Sequence, residues 1–368
     1  MSIEYNRPTH LEVDLQILVS NYQILKKHVS PRTVMVVLKA NAYGHGLVAV
    51  AKALVQAGCT HIAVAYLEEG IVLRQAGIDV TILILGGIIG DRIPLFIENN
   101  LTITASSIDK LQAIEMHAAR MSQTAHVHLK IDTGMERIGV HHYSATPLLK
   151  YAQTVQRVSV DGIFSHLAHA DECDLEPTIL QLQKFQSVCA AMSQPILRHL
   201  ANSGAVLQYP PAWLDMVRVG LALYGISPNP KIPLLPGMKP ALRWISRIVY
   251  FKVIPTGATV SYGGRWRTPK QTRIVTIPVG YGDGYQRRMS GNAQVLIRGK
   301  KYPVVGSICM DQIMVDIGWD EAYNGEEVIL LGSQQETSIS VDQLAHWAGT
   351  INYEILCAIN TRVPRIYV

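Results

Sequence analysis

The sequence predicts an α/β protein: an eight-stranded parallel (β/α)8 barrel followed by a mostly β C-terminal domain. Three observations carry that prediction. Between Val34 and Val219, eight short runs rich in Val and Ile alternate with longer stretches of helical periodicity. The first run, VMVVL, is apolar without alternation, as in a strand buried on both faces. After about Leu235 the helical stretches give way to β-rich segments divided by Gly and Pro turns. The Pro-rich SPNPKIPLLPGMKP (227–240) reads as the linker. We expect residues 1–10 to pack with the C-terminal domain, 11–235 to form the barrel and 236–368 the β domain.

In chain order, LEVD (11–14) reads as a short strand, with Asp14 placed to cap a helix carrying Leu18, Tyr22 and Leu25 at helical spacing. The barrel strands are expected at 34–38, 62–66, 81–86, 101–105, 126–132, 159–165, 196–201 and 215–219. LVAVAKALVQAG and SIDKLQAIEMHAARM read as helices between them, and Gly58 and Gly77 stop two helices. An open doubly wound sheet would normally carry a Gly-rich dinucleotide turn after its first strand, and KANAYGHG is not GxGxxG. In the second domain, LRWISRIVYFKVIPTGATVSYGG, RIVTIPVGYGDGY, AQVLIRGKKYPVVGS and QIMVDIGW read as β-rich, with a helix at VDQLAHWAGT.

Composition narrows the function class. The 368 residues exceed one ordinary core, and 48% hydrophobic with 17% charged content suits a well-packed enzyme. The charge of +5 comes from scattered residues with no basic run, so no nucleic-acid partner is expected. Five cysteines at irregular spacing, without CxxC, point to free thiols in a reducing compartment. MSIEYNRPTH has no apolar signal core, and runs such as TILILGGIIG fall short of the ~20 residues that span a bilayer. We therefore expect a cytoplasmic protein with no membrane partner and, without zinc-type signatures, no metal.

In parallel barrels chemistry sits at the C-terminal ends of the strands. The residues following the expected strands are Lys39, Glu68, Gly86, Ser106, Arg137, His166, Asn202 with Ser203, and Arg218 with Gly220. Lysine, histidine and two arginines on one rim are hard to explain by packing. Taken singly, each keeps two readings. Lys39 is either a lysine snorkelling to water or an amine that forms a Schiff base. Arg218 is a rim ion-pair residue or a site residue, His166 a core histidine or a site group, and Tyr262 a packing tyrosine or an acid–base group.

LKANAYGHG, IDTGMERIG (131–139), HLAHAD (166–171), LANSGA (200–205), MVRVGLALYG (216–225), VSYGGRW (260–266), VGYGDGY (279–285), CMDQ (309–312) and NYEIL (352–356) together resemble the alanine racemase family, in the family's order and over essentially the whole chain. The resemblance implies pyridoxal 5′-phosphate bound as a Schiff base on Lys39, and two-base catalysis in which Tyr262 serves the other face of the substrate. It implies interconversion of L- and D-alanine, supplying D-alanine for peptidoglycan. It implies that Arg218 faces the ring nitrogen where many pyridoxal enzymes place a carboxylate. It assigns Tyr43, His166, Asn202, Ser203, Gly220, Leu221 and Tyr353 to the cofactor, and Arg137, Met310 and Asp311 to the substrate. Lys130 matches a lysine that is carbamylated in part of the family, and Asp171 and Tyr281 match entrance positions. The family further implies a homodimer with active sites shared between chains. Three positions depart from it: Glu136 stands where glycine is common, Ser307 where an arginine often appears, and Val219 where proline is common. The alternatives are a racemase of serine or a broader amino-acid range, or a fold-related pyridoxal-phosphate decarboxylase.

Overall fold

The computed structural model describes residues 7–192 and 195–368; residues 1–6 of the expected N-terminal segment lie outside them. The chain divides into two compact units. One comprises Gln16–Ala42 and Gly46–Pro240; the other comprises the segment ending at Leu15, Tyr43–His45 and Ala241–Val368. The first strand, β1 (His10–Val13), belongs to the second unit.

The first unit is the barrel. Its strands are β2 (Thr33–Val37), β3 (His61–Val64), β4 (Thr81–Ile84), β5 (Thr102–Ala105), β6 (Ala125–Asp132), a two-residue β7 (Val140–His141), β8 (Val158–Phe164), β9 (Leu197–His199) and β10 (Met216–Val219). The neighbours run β5-β4-β3-β2-β10-β9-β8-β6, and a β5–β6 pairing closes the ring of eight parallel strands. The short β7 adds only to the end of β6. Closure explains why runs such as β2 and β4 are apolar without alternation: one face looks into the barrel and the other onto helices. Helix Leu47–Gln56 is followed by Gly58 at φ 86°, and helix Leu67–Gln75 by Gly77 at φ 80°. Left-handed backbone of this kind is what makes glycine the stop residue. Helix Ile108–Arg120 starts at Ser107, whose hydroxyl accepts from Lys110 N.

The Pro-rich stretch is pinned rather than loose. Asn21, buried on helix Leu15–His28, donates to the carbonyls of Leu223 and Lys239 and accepts from Lys239 N. Gly225, at φ 73°, lies so near that a Cβ would meet the Lys239 carbonyl at 1.8 Å.

The second unit is mostly β. It holds β11 (Leu242–Arg247), β12 (Tyr250–Ile254), β13 (Thr259–Val260), β14 (Trp266–Arg267), β15 (Thr272–Ile277), β16 (Gln294–Ile297), β17 (Lys300–Val305), β18 (Ile313–Gly318), β19 (Glu327–Gln334), β20 (Thr337–Ile339) and β21 (Arg365–Tyr367). The main sheet runs β12-β15-β18-β17-β16-β19-β11-β1-β21. Thus Leu11–Val13, the start of the span expected for the barrel, pairs antiparallel with β11 and parallel with β21. Helix Val341–Ala348 carries a capping box of Ser340 and Gln343. A second helix, Asn352–Ala358, was not expected from the sequence.

Candidate active site

In the barrel unit β2 ends at Val37, and Lys39 heads the turn just beyond it. From Ala40 to Tyr43 all four residues have φ between 51° and 55°, a left-handed turn without glycine. Such backbone costs about 1–2 kcal/mol per residue, so something must hold it. Glu69 does so in part. One carboxylate oxygen accepts from Ala40 N at 2.6 Å and the other from Ala65 N and Tyr66 N. Asn41 accepts from Leu47 N at 2.8 Å. The lysine is therefore set by a braced turn rather than by the strand itself.

Arg218 lies in β10 and is buried. Nη1 donates to the ring Nδ1 and the carbonyl of His199, at 2.9 and 3.0 Å. Nη2 donates to the carbonyls of Ser165 (2.7 Å) and Leu200 (3.2 Å), with His166 Nδ1 at 3.4 Å. Nε–H takes part in none of these bonds. Burial pulls the guanidinium pKa down to about 9, which leaves it charged at neutral pH. Because guanidinium has only donors, Nδ1 of His199 must be the acceptor. Its proton is then on Nε2 and is donated to His128 Nδ1, 2.8 Å away. Gly162 in β8 seats the His128 ring: a Cβ there would meet it at 2.8 Å.

His166 lies just past β8. Burial first, then the charges of Arg218, Arg137, Lys130 and Lys39, push its pKa well below the ordinary value. Four basic side chains thus act on a neutral imidazole. Lys130 in β6 is buried, donates to the Ile131 carbonyl at 2.8 Å and lies over Phe164, as Arg218 also does. Burial, then Arg218 and against it Asp132, bring its pKa down to about 7.

Arg137 sits in the loop after β6, which the Asp132 carboxylate ties down by accepting from the backbone N–H of Gly134, Met135 and Arg137. Burial raises the Asp132 pKa, but the backbone N–H groups and Lys130 outweigh it and hold the net value low. Asn202 is the N-cap of helix Ser203–Gln208, accepting from Ala205 N and donating to the Leu167 carbonyl. The Ser203 hydroxyl accepts from Gly220 N at 3.0 Å and Ala222 N at 3.3 Å. The Gly220 N–H, at a position assigned to the cofactor, is thus taken by Ser203, while Leu221 opens the buried turn Leu221–Tyr224. Asp171 meets Asn229 through its backbone carbonyl.

The second unit brings Tyr43 and Tyr353 together, ring centroids 6.1 Å apart. Burial, and then Tyr353, raise the Tyr43 pKa well above its ordinary value. Tyr262, Met310 and Asp311 line one cleft of about 650 Å³ together with Ser261, Cys309 and Lys252. Tyr281 joins them through its backbone, which donates to the Cys309 carbonyl, and Gly282 N donates to that of Met310.

The chain matches two successive domain profiles: "Alanine racemase, N-terminal domain" over residues 13–228 and "Alanine racemase, C-terminal domain" over 241–367. This chain belongs to the alanine racemase family. Among its relatives are the alanine racemases of Carboxydothermus hydrogenoformans (42% identical over 98% of this chain and all of the relative) and Halothermothrix orenii (40% over 100% and 98%). The crystal structure of alanine racemase from Streptomyces lavendulae matches with TM-score 0.95 at 35% identity over 99% of this chain and 98% of that one. The Bacillus anthracis enzyme with bound L-Ala-P matches with TM-score 0.93 at 35% identity, over 99% and 96%. Family membership makes the chain a racemase, an enzyme of the isomerase class.

The structure explains one departure from the family directly. Glu136, where racemases commonly have glycine, has φ 53°, a conformation glycine adopts without strain. Sequence reasoning did not single out Glu69, Asp132, His128, His199 or Ser261. Only Asp132, inside IDTGMERIG, carried a readable signal: an Asp before a Gly-containing turn accepts local backbone N–H groups.

Proposed function

We propose that the enzyme interconverts L- and D-alanine with pyridoxal 5′-phosphate on Lys39, using Lys39 and Tyr262 as its two bases. The observation that carries this reading is the convergence of Lys39, Arg137, Lys130 and Arg218 on a neutral His166, in a chain of this family. The residues fit the cofactor. A dianionic phosphate and a substrate carboxylate both suit a cation-rich rim, and Lys39 stands there on a braced turn. Lys39, Tyr43, His166, Asn202, Ser203, Arg218, Gly220, Leu221 and Tyr353 would hold it. When bound, it withdraws electrons from the substrate Cα and so acidifies the α-hydrogen.

The chain's own residues do the rest. Racemisation needs a group that removes a proton from one face of Cα and another that returns one to the opposite face; Lys39 and Tyr262 take these parts. Arg137 binds the substrate carboxylate as a bidentate donor. Met310 and Asp311 line the substrate end, and Asp171 and Tyr281 stand at the entrance. Arg218 offers an N–H but gives up no proton, which limits electron withdrawal and disfavours decarboxylation. His166 stays neutral and packs without adding to the positive charge. Because the proposed bases belong to different units, we further propose a homodimer in which each site takes Tyr262 from the other chain. None of the five cysteines forms a disulfide, which supports a reducing, cytoplasmic setting, and no helix among the described residues is long and apolar enough to cross a membrane. D-alanine made there would feed peptidoglycan synthesis.

Incubation with L-alanine, following D-alanine and CO₂ together, tests the reaction. D-alanine without CO₂ is expected, and CO₂ release would mark a decarboxylase instead. Purified protein should be yellow, and borohydride should abolish the visible band. Protein that is colourless and ignores added pyridoxal phosphate would overturn the reading.

A further inference from the structure

Tyr262 is 71% exposed, so side-chain packing within its unit does little to direct it. Its direction must come from its backbone, and that backbone is unusual. Ser261, the residue before it, has φ 66° and ψ −175°. This region is essentially reserved for glycine, and a serine persists there only when its surroundings over-determine it.

The surroundings are three. The Ser261 hydroxyl donates to the Ser307 carbonyl at 2.6 Å. The Ser307 hydroxyl, buried, donates to the Tyr262 carbonyl at 3.0 Å. Gly306, at φ 72°, brings the two segments together so closely that a Cβ would meet the Val260 carbonyl at 2.5 Å and Ser261 Cβ at 2.9 Å. A serine hydroxyl has one proton. Ser261 spends its proton on the Ser307 carbonyl, and the Cys309 thiol packs against both, 3.4 Å from the Ser261 oxygen and 3.6 Å from the Ser307 carbonyl to which it donates. Upstream, Val260 is packed with Ile274 and Val305, so the strand that feeds the turn is fixed.

We propose that Ser261 and Ser307 form a reciprocal hydroxyl clamp that sets the direction of Tyr262, making Ser307 a positioning residue for the tyrosine's proton transfer. The inference rests on Tyr262 being one of the two bases, as proposed above. Two carbonyls are held, one on each side of the crossing, each by the hydroxyl of the opposite segment. Rotation of the Tyr262 peptide breaks the Ser307 bond, and relaxation of Ser261 breaks the other. A small displacement of an acid–base group costs rate steeply, whereas the opposite base on another unit is untouched. Ser307 therefore acts on one face of the reaction only.

The test uses the loaded enzyme and α-deuterated alanine. Single-turnover wash-out of the label is measured from each enantiomer. Tyr262→Phe identifies the enantiomer that the tyrosine serves. Ser307→Ala should slow wash-out from that enantiomer roughly tenfold and from the other less than about twofold. Ser261→Gly, which removes the hydroxyl and the backbone strain together, should show the same one-sided loss even if Ser307→Ala fails to fold. A second reading comes from enzyme labelled with 3-fluorotyrosine. The ¹⁹F resonance missing in Tyr262→Phe should shift or broaden in both serine variants while the other tyrosines stay in place. Equal losses from both enantiomers, or an unmoved resonance, would overturn the clamp. If Tyr262→Phe itself slows both enantiomers alike, the assignment of Tyr262 as a base fails first and the clamp with it.

Discussion

His128 shows how one donor-only group fixes the protonation of residues it does not touch. Arg218 forces the His199 tautomer, and that tautomer hands a proton toward His128. Burial, against the attraction of Asp161 and with the repulsion of His61 and Arg218, lowers the His128 pKa from 6.5 to about 4. Between those two values the unfolded chain takes up a proton at this residue and the folded chain does not. Its contribution to stability is therefore present above the unfolded pKa and is lost as pH falls through the window. In His128→Asn the amide oxygen can still accept from His199. The slope of unfolding free energy against pH, from urea melts between pH 4 and 6.5, should fall by about one proton, roughly 1.4 kcal/mol per pH unit. An unchanged slope would show that His128 is charged in the folded barrel. Lys130 is the second residue whose chemistry burial sets. With a pKa brought down to about 7 it is substantially neutral at physiological pH, the form that attacks CO₂. The resulting carbamate would be an anion among Arg137 and Arg218. We expect native mass spectrometry to show the mass of one added CO₂, lost in acid, and Lys130→Ala to be partly rescued by a small carboxylate. An active enzyme whose Lys130 is unmodified would refute this.

At the scale of the element, the lysine turn depends on its neighbour. Ala, Asn, Ala and Tyr have little reason to form a left-handed turn, and only Asn visits that region readily. The turn persists because the next βα unit supplies Glu69, whose two carboxylate oxygens gather the N–H groups of Ala40, Ala65 and Tyr66. Glu69→Ala should cost about 1–2 kcal/mol in urea unfolding, since water can reach Ala40 and Tyr66 but less readily Ala65. The loss should be local. Amide exchange should quicken over residues 40–46 while β6 and β8 remain protected. Uniform quickening across the barrel would mean that Glu69 supports the whole unit. The strand ends, by contrast, were readable within a residue or two. Most of these runs close on glycine or polar residues, as at Lys39, Gly86, Ser106 and Gly220.

For the whole molecule, Lys39 and Tyr262 lie in different units, and the proposed dimer makes a quantitative demand. Lys39→Ala and Tyr262→Phe homodimers should each be inactive. After co-refolding, random pairing gives about half mixed dimers, and each mixed dimer has one site with both bases and one with neither. Half of the dimers with half of their sites intact is roughly a quarter of wild-type activity. If each site were built within one chain, every site would lack a base and activity would not return.

The sequence alone determined the barrel, the β domain after it and the order of the site residues. Strand burial, helix stops and strand-end chemistry are each written in short windows, and the family's motifs lie in order along the chain. Only the tertiary structure decided what those residues rest on. The left-handed turn under Lys39, the His199–His128 chain behind Arg218, and the serine pair beside Tyr262 each join segments from 19 to 71 residues apart. A hydrogen bond between such segments leaves no periodicity and no local propensity to read, because neither partner's own neighbourhood requires it. The same holds for Leu11–Val13. As a strand it is evident from its own residues, but its place beside β21, at the far end of the chain, follows from pairing that only the folded sheet defines.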